Sequence, residues 1–256
     1  MEIETTETKF CSNCSSEILA NKNFCRNCGQ AQSELDVRFQ SNRKQILQQI
    51  ALFFAIEIIV CVSAILIEEQ TIAISLFLDF VMAITAVLFF AYNWQENKFL
   101  LKWPGFSLKK LLGLVLVTVL ASYIVQFLVG HLNRLIFNDD YTFYYTYAFH
   151  EYGNYIMIIS VALFPALFEE LAYRGFLMQK LLNIVDEKEA IYITSILFFF
   201  IHFSMISFFW MLPFALLLAY VRVKSNTLWN GVVLHFFFNL TACLVEIYNF
   251  GGFDFN

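Results

Sequence analysis

Three apolar stretches of this chain carry ionisable or amide side chains at helical spacing. FPALFEELAYRGF holds Glu169, Glu170 and Arg174, SILFFFIHFS holds Phe198 and His202, and VVLHFFFNLT holds His235 and Asn239. Such groups are expensive in an apolar medium, so each marks a function or a specific partner. On a helix, Glu170 and Arg174 are four apart and face one another, which lets them neutralise each other's charge. Glu169 points about 100° away and lacks that partner. Phe198 with His202, and His235 with Asn239, each share one helix face directed at a neighbour or a cavity. A lone acidic pair would read as a membrane boundary, and a lone His in a span as an interhelical hydrogen-bonder. Two His, a Glu and an Asn on three stretches make the purely structural reading the less favoured one.

A second constellation lies near the N-terminus, where Phe10, Cys11 and Cys14 of KFCSNC return as Phe24, Cys25 and Cys28 of NFCRNC. Two C-x-x-C pairs supply four thiolates, a closed tetrahedral shell for a structural zinc with no open position for catalysis. Two disulfides are the alternative, disfavoured if this head lies in the reducing cytosol. A ribbon over residues 10–29 is too short to bury its own core, so the metal is expected to supply its folding energy. It resembles the short zinc ribbons at the N-termini of many bacterial membrane proteins, with an unidentified protein as the expected partner. Residues 30–45 read as a polar linker. Cys61 and Cys243 stand alone in apolar runs, as small buried hydrophobes.

The elements that must position these groups are membrane helices. Hydrophobic residues make up 59% of the chain and charged ones 14%, a composition that excludes an ordinary soluble core. No signal-peptide-like run precedes residue 46. Apolar stretches suggest spans at about 46–67, 71–92, 110–130, 155–175, 189–205, 207–223 and 227–248. The expected fold class is an all-α polytopic membrane protein of about seven transmembrane helices with a small N-terminal zinc ribbon. Ala190–Val221 is divided in two because it is too long for one crossing and Pro213 would disturb a single helix. With seven spans and the N-terminus inside, 15 of the 16 basic residues lie on the cytoplasmic side, Arg134 being the exception; merging the fifth and sixth spans leaves 13. The chain is therefore expected in the cell membrane, N-terminus cytoplasmic and C-terminus outside. Despite the formal net charge of -5, nothing suggests nucleic-acid binding. With the fourth helix running to about Leu182, Glu169, His202, His235 and Asn239 all fall about 12–20 Å from the cytosolic helix ends.

In chain order, EExxxR, FxxxH and HxxxN resemble the CPBP family, the CAAX-protease and bacteriocin-processing membrane proteins related to the Ras-converting CAAX endopeptidase. The resemblance covers about residues 155–245, rests on Glu169, Glu170, Arg174, Phe198, His202, His235 and Asn239, and leaves residues 1–150 outside. It implies hydrolysis, inside the membrane, of a membrane-associated peptide or protein. A carboxylate set among apolar groups suits general-base work near neutral pH, and Glu169 is the base expected. His202 is expected to hold or activate the water, and His235 and Asn239 to stabilise the oxyanion. The family's metalloprotease label makes Glu169, His202 and His235 equally a possible catalytic zinc set, and residue types leave the two schemes open. Two other classes stand beside the protease: a non-catalytic immunity or scaffold protein, and a small-solute or proton carrier using Glu57, Asp79 and Glu246. A carrier built from paired repeats would show the motifs twice, and the first half holds no second copy.

Overall fold

The computed structural model describes residues 8–11, 13–19, 25, 27–28, 34–67, 71–137, 142–204 and 207–251. They fall into two compact units, Met1–Leu52 and Phe53–Asn256. In the first, strands β1 (Thr8–Phe10) and β2 (Glu17–Leu19) pair antiparallel, with Thr8 opposite Leu19 and Phe10 opposite Glu17. The intervening turn carries Cys11 and Cys14, and Ser15 closes it at φ +57. Helix α1 (Glu34–Leu66) begins in the stretch read as a polar linker and continues through the first apolar run.

The remaining long helices are α2 (Ile72–Tyr92), α3 (Leu108–Phe137), α4 (Gly153–Leu181), α5 (Glu187–Phe200), α6 (Phe208–Ser225) and α7 (Trp229–Glu246). Among the described residues, six stretches are long and apolar enough to cross a membrane: Asn42–Leu66, Ile72–Tyr92, Leu108–Ile136, Gly153–Leu181, Phe208–Ser225 and Trp229–Asn249. The protein is an all-α polytopic membrane protein. Phe77, Leu88, Leu116 and Phe127 are among the many large apolar side chains left exposed, as lipid contact requires.

The fifth expected span differs from the other six. Helix α5 has 14 residues, about 21 Å of rise, and ends before the expected residue 205. Its start is set by a capping box in which Asp186 and Glu189 exchange side-chain and backbone hydrogen bonds. Its end is a turn in which Phe203 takes φ +47. The break in the long apolar run therefore precedes Pro213, which lies inside α6 and does not end it. Helix α6 stops at Asn226, in the left-handed conformation at φ 51, after Arg222 and Lys224 in its last turn. Lys224 meets Glu187 at 3.2 Å, so α5 and α6 form a hairpin whose open ends lie together.

Helix α7 is the most enclosed candidate span, with 44% of its apolar window buried against 11% for α3. Its N-terminus is tied to the loop after α2: Thr227 donates to the Lys102 carbonyl at 2.6 Å and the Trp229 indole to the Leu101 carbonyl at 2.7 Å. Deeper in the bundle, Ser122 of α3 donates to the Phe238 carbonyl at 2.7 Å. Helix α4 contains two π-helical stretches, Ile158–Leu163 and Glu170–Leu177, a distortion that often accompanies functional sites. The second stretch is almost wholly buried, and Gly175 within it lets the Phe90 ring approach; a Cβ there would meet that ring at 2.8 Å.

Candidate active site

Helices α4, α5 and α7 bring six of the seven motif residues into one linked cluster. Arg174 Nη1 donates to Glu170 Oε1 at 2.9 Å with both side chains fully buried, the pairing expected from their spacing. Arg174 Nη2 donates to the Ala215 carbonyl at 3.2 Å, and its guanidinium lies 4.5 Å from the centre of the Phe198 ring. Phe198 thus has a physical role: it covers a buried cation with its π face and also packs edge-on against Tyr173 and His235. Arg222, which the sequence motifs do not include, donates from Nε to the Arg174 carbonyl at 3.0 Å.

Glu170 does more than neutralise Arg174. The same Oε1 is 3.1 Å from His235 Nδ1. A carboxylate only accepts, so Nδ1 carries the hydrogen and Nε2 of the neutral ring is the acceptor. That Nε2 lies 3.8 Å from Glu169 Oε2. His235 is therefore clasped between adjacent glutamates, one orienting it and the other facing its reactive nitrogen. The Glu169 side chain is 23% exposed and that of Glu170 0%, so Glu169 is the one a substrate can reach. Gly231, one turn before His235, permits this approach, since a Cβ there would lie 2.6 Å from Glu170 Oε2.

His202 and Asn239 sit at the margins of the cluster. His202 Nδ1 donates to the Phe198 carbonyl at 2.8 Å, which leaves Nε2 as an acceptor. Asn239 Nδ2 donates to the Val161 carbonyl at 3.0 Å, tying α7 to the first π-helical stretch of α4. Beside Glu169 opens a cleft of about 230 Å³, lined by Glu57, Asp79, Phe164, Phe168, Glu169 and His202 among others. His235 and Asn239 are not among its lining residues. The three carboxyl groups are held from different helices, Tyr173 donating to Glu57 at 3.3 Å and Ser160 donating to Asp79. Glu57 and Asp79 are thus bonded to α4 rather than to each other.

Among the described residues, one group brings three or more His, Cys, Asp or Glu ligand atoms within 4.8 Å of one another, and it is Cys11, Cys14, Cys25 and Cys28. Sγ separations of 3.6 Å, Cys11 to Cys28 and Cys14 to Cys25, match the roughly 3.8 Å edge of a tetrahedron with 2.3 Å Zn–S bonds. The quartet fits a bound metal ion. Hydrogen bonds lower the thiol pKa of Cys14, chiefly through Ser16, and of Cys11, chiefly through the Cys14 backbone, favouring the thiolates a metal needs. Glu169, His202 and His235 do not converge in the same way and form no preassembled metal shell.

Fold and cluster together define a polytopic α-helical membrane protein in which a Glu–His–Glu–Arg chain, open only at Glu169, borders a largely apolar cleft. Residues 151–241, from just before α4 into α7, match the family model described as type II CAAX prenyl endopeptidase Rce1-like, and all seven motif residues fall inside the match. No curated protein and no solved structure matches the chain.

Proposed function

We propose that the chain is an intramembrane endopeptidase that hydrolyses a membrane-associated peptide or protein, with Glu169 as general base. The observation that carries this is the 3.8 Å separation of Glu169 Oε2 from His235 Nε2. A carboxylate oxygen and an imine-type nitrogen are both acceptors, and a water donating to each satisfies both. The water oxygen then presents a lone pair to a substrate carbonyl that reaches past Glu169 from the cleft to the side on which His235 lies. Glu169 takes one proton as the new C–O bond forms and returns it to the leaving amine nitrogen as the peptide bond breaks. The water has two hydrogens, so His202, an acceptor at Nε2 on the cleft wall, helps hold it by sharing with His235 the hydrogen that Glu169 does not take. The oxyanion is stabilised by the second amide hydrogen of Asn239 and by His235, whose Nε2 draws the water's second proton as the C–O bond forms and passes it on to the departing amine. Glu170 keeps His235 in the required tautomer, while Arg174 holds Glu170 in place as its counter-ion. A catalytic zinc would draw on Glu169, His202 and His235; because these are not gathered into one shell, the steps above use the side chains alone.

In the cytosolic head, Cys11, Cys14, Cys25 and Cys28 bind one structural zinc that folds residues 10–29, ahead of a linker at 30–45 and a membrane domain at 46–248. The α5–α6 hairpin returns the chain to the face it left, whatever depth α5 reaches. If each of the remaining five candidate spans crosses once, the termini lie on opposite sides, and the distribution of basic residues supports a chain in the cell membrane with its N-terminus cytoplasmic.

The discriminating experiment is cleavage of membrane-associated peptides by the purified chain in liposomes, with His202→Ala, His235→Ala and their doubles with Glu169→Gln. Each single is expected to abolish cleavage in a folded protein, and the doubles to add little, because groups acting as one unit are not additive. Independent, multiplicative losses would contradict a shared water.

A further inference from the structure

The cleft beside Glu169 carries two carboxyl groups that the hydrolytic steps do not use. Glu57 of α1 and Asp79 of α2 line it with Glu169, and among the described residues no Lys or Arg does. Glu57 is 1% exposed; its Oε2 accepts from Tyr173, while Oε1 has no hydrogen-bond partner. A buried acceptor without a donor is costly unless a ligand supplies one. Asp79 accepts from Ser160 on one side only, leaving its carboxyl group further capacity toward the cleft. The rings of Phe164 and Phe168, 5.1 Å apart, form part of the same wall.

Three carboxyl groups in a cleft within a membrane domain must take up protons or meet a cation, and the Glu57 oxygen that no donor reaches favours a cation that brings N–H groups. A bare metal ion needs several ligand atoms close together, and Glu57, Asp79, Glu169 and His202 bring no three of theirs within 4.8 Å. An ammonium or guanidinium group on a flexible stem is the better match. Its several N–H donors reach carboxylates set further apart, and its stem packs along the aromatic rings. Resting on the endopeptidase reading, we infer that this cleft is a specificity subsite for a basic side chain, Lys or Arg, of the peptide substrate. Glu57 and Asp79 are its anionic partners, and Glu169 is left to activate water.

The test uses the full chain in detergent and membrane-associated fluorogenic peptides carrying Lys, norleucine or Glu at each position flanking the cleavage site in turn. At one position the wild type is expected to favour Lys over norleucine by about tenfold in kcat/KM, the scale of one charge-assisted hydrogen bond, and to reject Glu. Asp79→Asn, and Glu57→Gln where it folds, should erase that preference while cleavage of the norleucine peptide stays within about threefold. Equal cleavage of all three peptides by the wild type, or variants that lose the Lys and norleucine peptides alike, would overturn the subsite. Should the wild type cleave nothing, the endopeptidase reading fails and fluorescence anisotropy with the same peptides decides the subsite alone. Tighter binding of the Lys peptide, lost in Asp79→Asn, supports it; equal or absent binding overturns it.

Discussion

Replacing Glu170 by Gln tests the division of labour between two adjacent glutamates. Its carboxylate is fully buried and serves two partners through one oxygen, Arg174 at 2.9 Å and His235 at 3.1 Å. Gln keeps the volume and removes the charge, which strands a fully buried guanidinium and loosens the His235 tautomer. Breaking a buried pair by removing one partner costs about 3–5 kcal/mol, equivalent to a fall of about 6–20 °C in melting temperature for a domain of this size. Lowered yield, a lowered melting temperature in detergent and lost cleavage are expected together. Glu170→Gln combined with Arg174→Met removes both charges and should recover most of the melting temperature, because an apolar replacement of a buried pair is close to neutral. It should not recover cleavage, since His235 still lacks its orienting carboxylate. The assay is thermal unfolding followed by tryptophan fluorescence, paired with peptide cleavage on each preparation. A Glu170→Gln protein with wild-type stability, or a double variant as unstable as the single, would refute the ion-pair energetics argued here.

Three further outcomes are expected. Gly231→Ala introduces a Cβ 2.6 Å from Glu170 Oε2, so it should lower stability by about 1–3 kcal/mol and reduce cleavage, whereas Ala at Gly113, where a Cβ meets nothing within 4 Å, should do neither. Cys11→Ser or Cys25→Ser should release one zinc equivalent by metal analysis while the melting temperature of the membrane domain is unchanged; a full equivalent retained in the double variant would rule out the four-thiolate site. A tag after Asn256 should be accessible from outside intact cells and one before Met1 only after permeabilisation; tags on the same side would show that the helix pairing is misread.

Local spacing made part of this architecture legible in the sequence. The Glu170–Arg174 contact follows from i, i+4 geometry, and the cysteine quartet from two C-x-x-C pairs separated by ten residues. Hydropathy found the helices because lipid forces long apolar runs, and it divided the run after Ala190 near the turn that the chain makes. It overstated α5, because composition continues to be apolar through Ile201 and Phe203 after the helix has ended. Contacts between distant helices were not legible. The bond from His235 to Glu170 spans 65 residues and that from Tyr173 to Glu57 spans 116, and nothing in either local pattern names the other partner. Gly231 carried a usable signal, being one helical turn before His235 on the same face, where a missing Cβ means that something comes close. The second π-helical stretch had no such signal, since apart from Gly175 its residues are compatible with an ordinary α-helix.

The most direct test of the central claim is Glu169→Gln in liposomes. The substitution removes the one proton acceptor of the glutamate pair that opens to the cleft, at nearly constant volume and without touching the Glu170–Arg174 pair. The expected result is a protein that melts as the wild type does and yields no cleavage product from a peptide the wild type cleaves. Product formed by Glu169→Gln at the wild-type rate would contradict Glu169 as the base and, with it, the mechanism proposed for this cleft.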